Sequence, residues 1–489
     1  MKKIYTLLIA LTTCFSLIQA AVVNGTCGDH LTWSLDTKDS TLTIVGSGEM
    51  YDGEIYGDFD ERNYSPWYAY RLYIKNITLP DRLKRIGKWA FYECSNCKSI
   101  DIPDSVTSIG YGAFSFCASL SSIKIPNSVT IIERESFLSC SNLTSIELSH
   151  HITNIERLTF GYCTNLVSII IPDSVVNIEA EAFASCSNLT HINIPDSVSS
   201  IGDQAFYNCN SLESATIGYN ITKIGKSSFG GCNNLRSIIW NAKHCNDLVV
   251  SDYSFTSLIT SFTFGDKVEY IPANLCYGMT TLSNVIIGNH VKNIGNRAFF
   301  GCISLDTIII PNNVVNIGSD AFMGCSGLTS LTLSNSINST GYRAFSDCTS
   351  LTSVIIPNNV STIELFAFSN CTSLTSVTLG TGCTSIQSNA FENCPISHLT
   401  VLADTPPNGG IQSGINPNNC KLYVPSESIT IYANTIWWED FFSIEAITED
   451  PTGFDVTTIE NASRKVINNG QVLIKRDDKT YTIIGAEVK

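Results

Sequence analysis

Charge is scarce in this chain, and basic charge is scarcest. Only 15% of the 489 residues are charged, and 29 Lys and Arg face 44 Asp and Glu for a formal net charge of -15. A surface so poor in cations has no electrostatic footprint for a phosphate backbone, which sets nucleic acid aside as a partner. Beyond Ile18 no stretch approaches about 18 consecutive apolar residues, so no later segment is long and apolar enough to span a bilayer as a helix. His-Glu-x-x-His, Gly-x-Ser-x-Gly and Gly-rich phosphate loops are all missing, and the seven histidines are scattered. No Cys-x-x-Cys pair has a second with which to build a zinc site. The expectation is therefore a protein that is not an enzyme and needs no metal or cofactor. Disorder is equally excluded, because 44% of the residues are apolar and must be buried somewhere.

The amino terminus reads as a leader. Lys2 and Lys3 precede the apolar run Ile4 to Ile18, and the small residues Ala20 and Ala21 follow where a signal peptidase cuts. Cys14 lies inside the apolar run behind Thr12 and Thr13, a passenger of the leader and not a lipid attachment point. Residues 1–21 are expected to be removed on export. The mature chain then works at the cell surface or outside the cell, with the periplasm as the other exported compartment.

What is present in abundance is a repeat. Phe91, Phe114, Phe137, Phe160, Phe183, Phe206 and Phe229 are each 23 residues apart, and Phe299, Phe322, Phe345, Phe368 and Phe391 continue at the same interval. Between the runs, Leu235, Leu258, Leu282 and Leu305 keep the register with one inserted residue, Cys276 taking the Phe position and Met279 the Cys position. Within one unit the recurring residues are Phe114, Cys117, Leu120, Ile123, Ile125, Val129 and Ile132. Leu120-x-x-Ile123-x-Ile125 alternates like a strand, and Pro126 ends it because proline has no N–H for a ladder. Ala113-Phe114-x-x-Cys117 is too short for a stable helix and amounts to a single helical turn at most. One unit cannot bury its own apolar side; stacked units bury it in columns of like residues. A period of 23 lies in the leucine-rich range and excludes ankyrin, tetratricopeptide and propeller repeats. The fold expected is a β-rich leucine-rich-repeat solenoid of about 14 coils with a 23-residue period.

Both ends need cover. Residues 22–80 hold the hairpin-like stretch Leu31 to Val45 and the aromatic Ser65-Pro-Trp-Tyr68, an N-terminal β capping module ahead of repeats at 81–397. Residues 398–450, with His398 to Leu402, Pro406-Pro407, Tyr423-Val-Pro425 and Trp437-Trp438, are expected to lay one last strand and a helical turn over the other end. Residues 451–489 form a hairpin tail or sorting element around Asn469-Gly470, the strongest short hairpin signal in the chain.

Nineteen cysteines in an exported chain suggest disulfides at first sight. Twelve of them share one repeat position, from Cys94 and Cys117 to Cys394, which points them down one buried column as reduced, small hydrophobes. Cys94-x-x-Cys97 has redox spacing, but Cys97 holds the repeat's Leu position and belongs to the core. The sequons at Asn142, Asn188 and Asn220 follow from turn composition. The outward positions of the strand are mostly Ser and Thr, among them Ser121, Ser122, Thr144 and Ser145. Ile170, Ile239, Ile286, Ile309 and Ile355 recur among them at one register position. Hydroxyls that hydrogen-bond sugars or peptide backbones, with sticky isoleucines between them, make this the candidate ligand-binding face, and His191 lies on it. Glu147, His191 and Glu213 are the best accidental grouping of titratable residues there.

The unit Ile-Pro-x-Ser-Val-x-x-Ile-Gly-x-x-Ala-Phe-x-x-Cys-x-x-Leu-x-x-Ile, from Ile102 through Ile123 and again from Ile194, resembles the BspA-like leucine-rich repeats of bacterial surface proteins. Cys27-Gly-Asp-x-Leu-Thr-Trp33 is similar to a module found before such repeats, and Val401 to Pro407 with Tyr423-Val-Pro425 to a closing unit common in Bacteroidetes. The tail from Gly470 to Tyr481 resembles a short carboxyl-terminal segment of exported proteins of that group. The resemblance implies a surface or secreted protein that adheres to a host extracellular-matrix or cell-surface protein, another cell or a glycan, and it brings no catalytic residues. Two other classes stay open. A glycan-active enzyme needs two carboxylates about 5 to 9 Å apart beside aromatic platforms, and a structural spacer needs only a featureless face.

Overall fold

The computed structural model describes residues 22–55, 62–250 and 254–447, together with the backbone of four tail strands, Arg464–Asn468, Gln471–Arg476, Lys479–Thr482 and Glu487–Val488. The expected leader and the Asn469-Gly470 turn lie outside these residues. The chain is a β-rich leucine-rich-repeat solenoid of roughly 16 turns with non-repeat elements at both ends. It divides into two units, one of residues 22–238 with 251–256, the other of 239–250 with the chain from 257 onward.

The first unit opens with three antiparallel strands, β1 (Val22–Gly28), β2 (Leu31–Asp36) and β3 (Thr41–Glu49), paired through Leu35↔Leu42 and Trp33↔Ile44. Leu31, Trp33 and Leu35 alternate inward, as strand pleating requires. The far end of β3 then pairs in parallel with Arg82–Ile86, so the cap hands its ladder directly to the coils. Trp67 is fully buried, stacks on Phe91 with centroids 5.8 Å apart and donates its indole N–H to the Ala90 carbonyl at 2.7 Å. It occupies the place that a Phe takes in the regular coils that follow.

From there the columns run as the period requires. Phe114, Phe137, Phe160, Phe183 and Phe206 are all at most 1% exposed. Successive rings lie 5.2 to 5.7 Å apart with interplanar angles of 4° to 20°. Each aromatic contact of this kind adds about 0.5–1.5 kcal/mol beyond simple burial. Two short parallel ladders hold neighbouring coils in register, for example Ile146↔Ile123 on one side of the coil and Ile178↔Ile155 on another. Pro126 ends its strand in a turn closed by the Val129 N–H on the Pro126 carbonyl at 3.0 Å. At Gly202 a Cβ would come within 2.5 Å of the Ala180 nitrogen one coil back, so the coils meet there backbone to backbone.

The Ala-Phe-x-x-Cys segment is not the helical turn that its length allowed. Glu135 and Ser139 sit in the left-handed region, at φ 59° and 58°, on either side of Phe137. That alternation turns the N–H groups of Glu135, Phe137 and Ser139 toward the next coil, where they bond Arg157, Thr159 and Gly161 carbonyls at 3.0, 3.0 and 2.8 Å. A third inter-coil ladder results. It outweighs a left-handed cost of about 1–2 kcal/mol per non-glycine residue.

Every one of the 18 described cysteines is a buried, unbonded thiol. The column thiols are more than filler. Cys117, Cys140, Cys163 and Cys186 each donate S–H to the Phe carbonyl of the preceding coil, at 3.1 to 3.2 Å. Burial pushes the Cys163 thiol up to about 12. Burial raises Cys117, Cys140 and Cys186 in the same direction, so these four thiols are protonated and chemically quiet at neutral pH.

The irregular middle departs from the sequence reading in two places. Phe229 stacks at 5.1 Å on Phe255, which is 26 residues on, so the Phe column of the first unit continues one coil further than the 23-residue count finds it. In the second unit Ile259, fully buried, holds the Leu position, and Leu258 beside it is half-exposed. The Ser283 N–H bonds the Thr260 carbonyl at 3.1 Å, the bond that the residue after the Leu position makes in regular coils. The inserted residue thus precedes Ile259. Cys276 does take the Phe position, since its carbonyl accepts the Cys302 thiol at 3.3 Å.

The second unit continues through stacked Phe299, Phe322, Phe345, Phe368 and Phe391. Its closing region lays three strands, where one was expected: Ser376–Leu379 pairs in parallel with His398–Val401, then Lys421–Val424, then Ser443–Ala446. A short helix, α1 (Ile429–Ala433), carries Tyr432 inward, where it meets Trp438 edge to face at 5.2 Å. The tail strands form an antiparallel sheet, Arg464–Asn468 with Gln471–Arg476, then Lys479–Thr482 and Glu487–Val488.

Candidate binding surface

The strand Leu-x-x-Ile-x-Ile turns its Leu and Ile residues inward and leaves three rows outward. In the first row Ser121, Thr144 and Thr190 donate their hydroxyls to backbone carbonyls one coil back, at 3.3, 3.0 and 3.4 Å, and Thr329 and Thr375 do the same in the second unit. These hydroxyls tie coils together, and only their acceptor lone pairs face outward. The second row is freer. Ser122, Ser145, Ser330 and Ser353 are exposed and make no side-chain hydrogen bond among the described residues.

The third row carries the predicted isoleucines. Ile170 is 83% exposed and Ile309 66%, whereas Ile239, Ile286 and Ile355 are half-buried. Within the second unit, Ile309 pairs with Thr332 and Ile355 with Thr378 on adjacent strands, so isoleucines and threonines share the row. In the first unit the row includes Lys124 and Glu147, and these two form an exposed ion pair at 2.9 Å. His191 stands in the second row and approaches Glu213 at 3.9 Å, both largely exposed. The three-residue grouping of Glu147, His191 and Glu213 is therefore split. Glu147 is engaged by Lys124, and a lone exposed His–Glu contact remains.

Some clusters left no mark on sequence reading, because they join residues whose register is visible only once the coils are stacked. Glu269 is gripped by Lys243 at 3.0 Å and Lys292 at 3.2 Å, with His244 at 3.9 Å. Hydrogen bonds from Lys243 and then Lys292 hold its carboxyl below the ordinary glutamate value. Near the start of the first unit, Tyr64 stacks between Tyr68 and Tyr92 at 4.0 and 4.8 Å. Arg71 lies over Tyr68 and binds Glu93 at 2.7 Å. The aromatic Ser65-Pro-Trp-Tyr68 is the sequence signal nearest this cluster, and by itself it points only to end cover. Among the described residues no group of three or more His, Cys, Asp or Glu is placed to hold a metal ion. No described helix is long and apolar enough to cross a membrane.

With stacked coils, a Phe column and a thiol column established, the repeat can be set beside known ones. Residues 65–190, 176–306 and 292–405 match the model of the BspA type leucine rich repeat region. The chain belongs to this family. A BspA-type solenoid is a scaffold and not in itself a catalytic arrangement. Among solved structures the chain is similar to a leucine-rich repeat protein from Bacteroides ovatus, at 25% identity and a TM-score of 0.46, over 81% of this chain and 98% of that one. It is similar also to a leucine-rich repeat protein from Eubacterium ventriosum, at 23% identity and a TM-score of 0.32, over 89% and 98% of the two chains. A leucine rich cell surface protein from Faecalibacterium prausnitzii is similar at 24% identity and a TM-score of 0.31, over 78% and 95%. A search of curated proteins returns no match.

Proposed function

We propose that this BspA-type protein is an exported, non-enzymatic binding protein that adheres through its strand face to a host extracellular-matrix or cell-surface protein, another cell or a glycan. The exposed Ile170 and Ile309, each set among rows of Ser and Thr, carry this reading. Ile309 sits between Ile286 and Thr332 in its row, and Ile170 between Glu147 and Asn193 beside Ser168, so each leaves apolar area open to a partner among polar groups that stay solvated. The leader-like residues 1–21 and the repeat family support an extracellular or surface location. Within the second unit the half-buried Ile239, Ile286 and Ile355 extend the proposed row of Ile309, and within the first unit His191 stands in the row beside Ile170.

The test is an array of host-matrix proteins and glycans probed with the mature chain, followed by Ile170→Glu and Ile309→Glu against whichever ligand is retained. Both substitutions are expected to leave the circular dichroism spectrum and unfolding midpoint unchanged and to weaken binding. Unchanged binding by both variants overturns the strand-face assignment. A mature chain that binds nothing on the array favours a spacer.

A further inference from the structure

The strongest unassigned feature is a cavity of about 400 Å³ in the second unit, away from the strand face, at the turns that precede the Phe column. Its walls are Asp247, Asn274, Asn296, Arg297, Ser319 and Asp320, with Ala273 the one apolar residue. Asn274, Arg297 and Asp320 hold the same repeat position, and so does Arg343 one coil on. All four are left-handed, at φ 60°, 53°, 56° and 51°. The geometry strings their side chains along one line of the turn edge in the order amide, guanidinium, carboxylate, guanidinium.

Asp320 decides what this line can do. It is only 6% exposed, and although Arg297 Nε donates to its Oδ2 at 3.2 Å, its Oδ1 accepts no hydrogen bond. Arg343 Nε comes no closer than 3.7 Å to that oxygen. A buried carboxylate oxygen without a donor is costly, and a ligand that brings one removes the cost. The remaining groups supply the complement. Asn274 uses its NH₂ on the Leu248 carbonyl at 2.7 Å, which leaves its amide oxygen as an acceptor. Asn296 uses its oxygen on the Ser319 N–H at 2.8 Å, which leaves its NH₂ as a donor. Asp247 accepts from the Tyr270 hydroxyl and from the Ala273 N–H at 2.9 Å.

The walls carry two carboxylates and one guanidinium, and Arg343, outside the walls, sets a second guanidinium 3.7 Å from Asp320, so the charges largely offset and neither a cation nor an anion is strongly favoured. The density of donors and acceptors suits a ligand whose groups both donate and accept, and a hydroxyl is that group. We propose that this cavity binds a neutral polyhydroxylated ligand, the terminal sugar ring of a glycan, with a ring hydroxyl donating to Asp320. The proposal rests on the reading of the chain as a binding protein but not on its strand face.

The experiment is saturation-transfer NMR on the mature chain with the methyl glycosides of glucose, galactose, mannose and N-acetylglucosamine. At least one is expected to receive saturation, and Asp320→Asn is expected to weaken it about tenfold, in keeping with loss of a charge-assisted hydrogen bond. Asn tolerates the left-handed backbone at this position. Should Asp320→Asn fail to fold, Asn296→Ala on the exposed wall carries the same expected weakening. Ile309→Glu is expected to leave sugar binding unchanged, which separates this site from the strand face. No transfer to any of the four glycosides, or full-strength binding by the variant, overturns the proposal.

Discussion

Phe183→Ala is the sharpest probe of the stacked interior. The ring is completely buried and lies between Phe160 at 5.4 Å and Phe206 at 5.2 Å. Truncating a buried Phe costs about 3–5 kcal/mol, the spread reflecting how far the surroundings collapse into the space. Collapse is restricted here, because the rings above and below are held by the inter-coil bonds Phe160 N–H to Ala182 and Phe206 N–H to Ser228, at 2.9 and 2.8 Å. Two ring pairs are also lost. The expected loss is therefore in the upper half of that range, about 4–5 kcal/mol. Its location matters as much as its size. In a stack where each coil touches only its neighbours, the damage is local. Denaturant titration measures the loss, and hydrogen exchange read by mass spectrometry locates it. Amide protection is expected to fall in the coils of Phe160, Phe183 and Phe206 and to be retained in β1 and β2. A loss below about 1 kcal/mol, or an equal rise in exchange at the cap strands, would refute nearest-neighbour stacking as the source of stability.

The thiol column makes a prediction about alkali. Cys163 and Cys325 are raised by burial from an ordinary 9 to about 12. The stability from keeping them neutral is fully present below pH 9 and is lost as pH rises toward 12. Unfolding followed by circular dichroism is expected to steepen above pH 9, and iodoacetamide at pH 8 is expected to label the column only after denaturation; rapid labelling of native protein contradicts it. The Lys243–Glu269–Lys292 cluster predicts the opposite dependence. Glu269 is lowered, so its contribution is present above the ordinary glutamate range and is lost as pH falls through its folded value. Lys292→Ala is expected to raise the Glu269 titration midpoint seen by carboxyl-carbon NMR, and an unmoved midpoint rules out the pairing.

Legibility followed burial. Every residue that recurs at 23 and points inward was readable, because one unit cannot hide Phe137, Cys140 or Leu143 without a neighbour to cover them. Three features escaped. Trp67 reads as end cover in the sequence, since Trp in place of Phe breaks the motif while filling the same column. Phe255 is invisible to a 23-residue count because 26 residues separate it from Phe229. Leu258 matches the repeat's residue type, but Ile259 takes the inward side of the chain. The first row of hydroxyls shows the limit on the outer face. Composition identifies Thr144 as a polar outward residue, but only the stacked backbone reveals that its hydroxyl is spent on Ser121. Asp320 and Arg343 are 23 apart, yet their meeting depends on a left-handed backbone at both, which spacing alone does not reveal.

The thiol column itself shows why a repeat of this kind retains cysteine. The Phe carbonyl of each coil already accepts the N–H of the cysteine three residues on, as Cys140 N–H on the Phe137 carbonyl at 3.2 Å. Its second lone pair faces the interior, where water cannot reach it. Cys163 Sγ fills that role at 3.2 Å. Alanine would leave the lone pair unmet, and valine would crowd a column in which Cys140 and Cys163 are already fully buried. Serine has a stronger donor but adds the desolvation of a hydroxyl in every coil, whereas a thiol is a weak donor that is also among the most readily buried side chains. The same reasoning explains the exception. Cys276 stands where Phe belongs, and the Cys302 thiol still finds its carbonyl there, because the acceptor is backbone and survives a change of side chain. The coil at 276 thus keeps its register with neither ring nor thiol of its own, Met279 donating its N–H to the same carbonyl at 3.2 Å, because the ladder rests on backbone groups that every residue supplies.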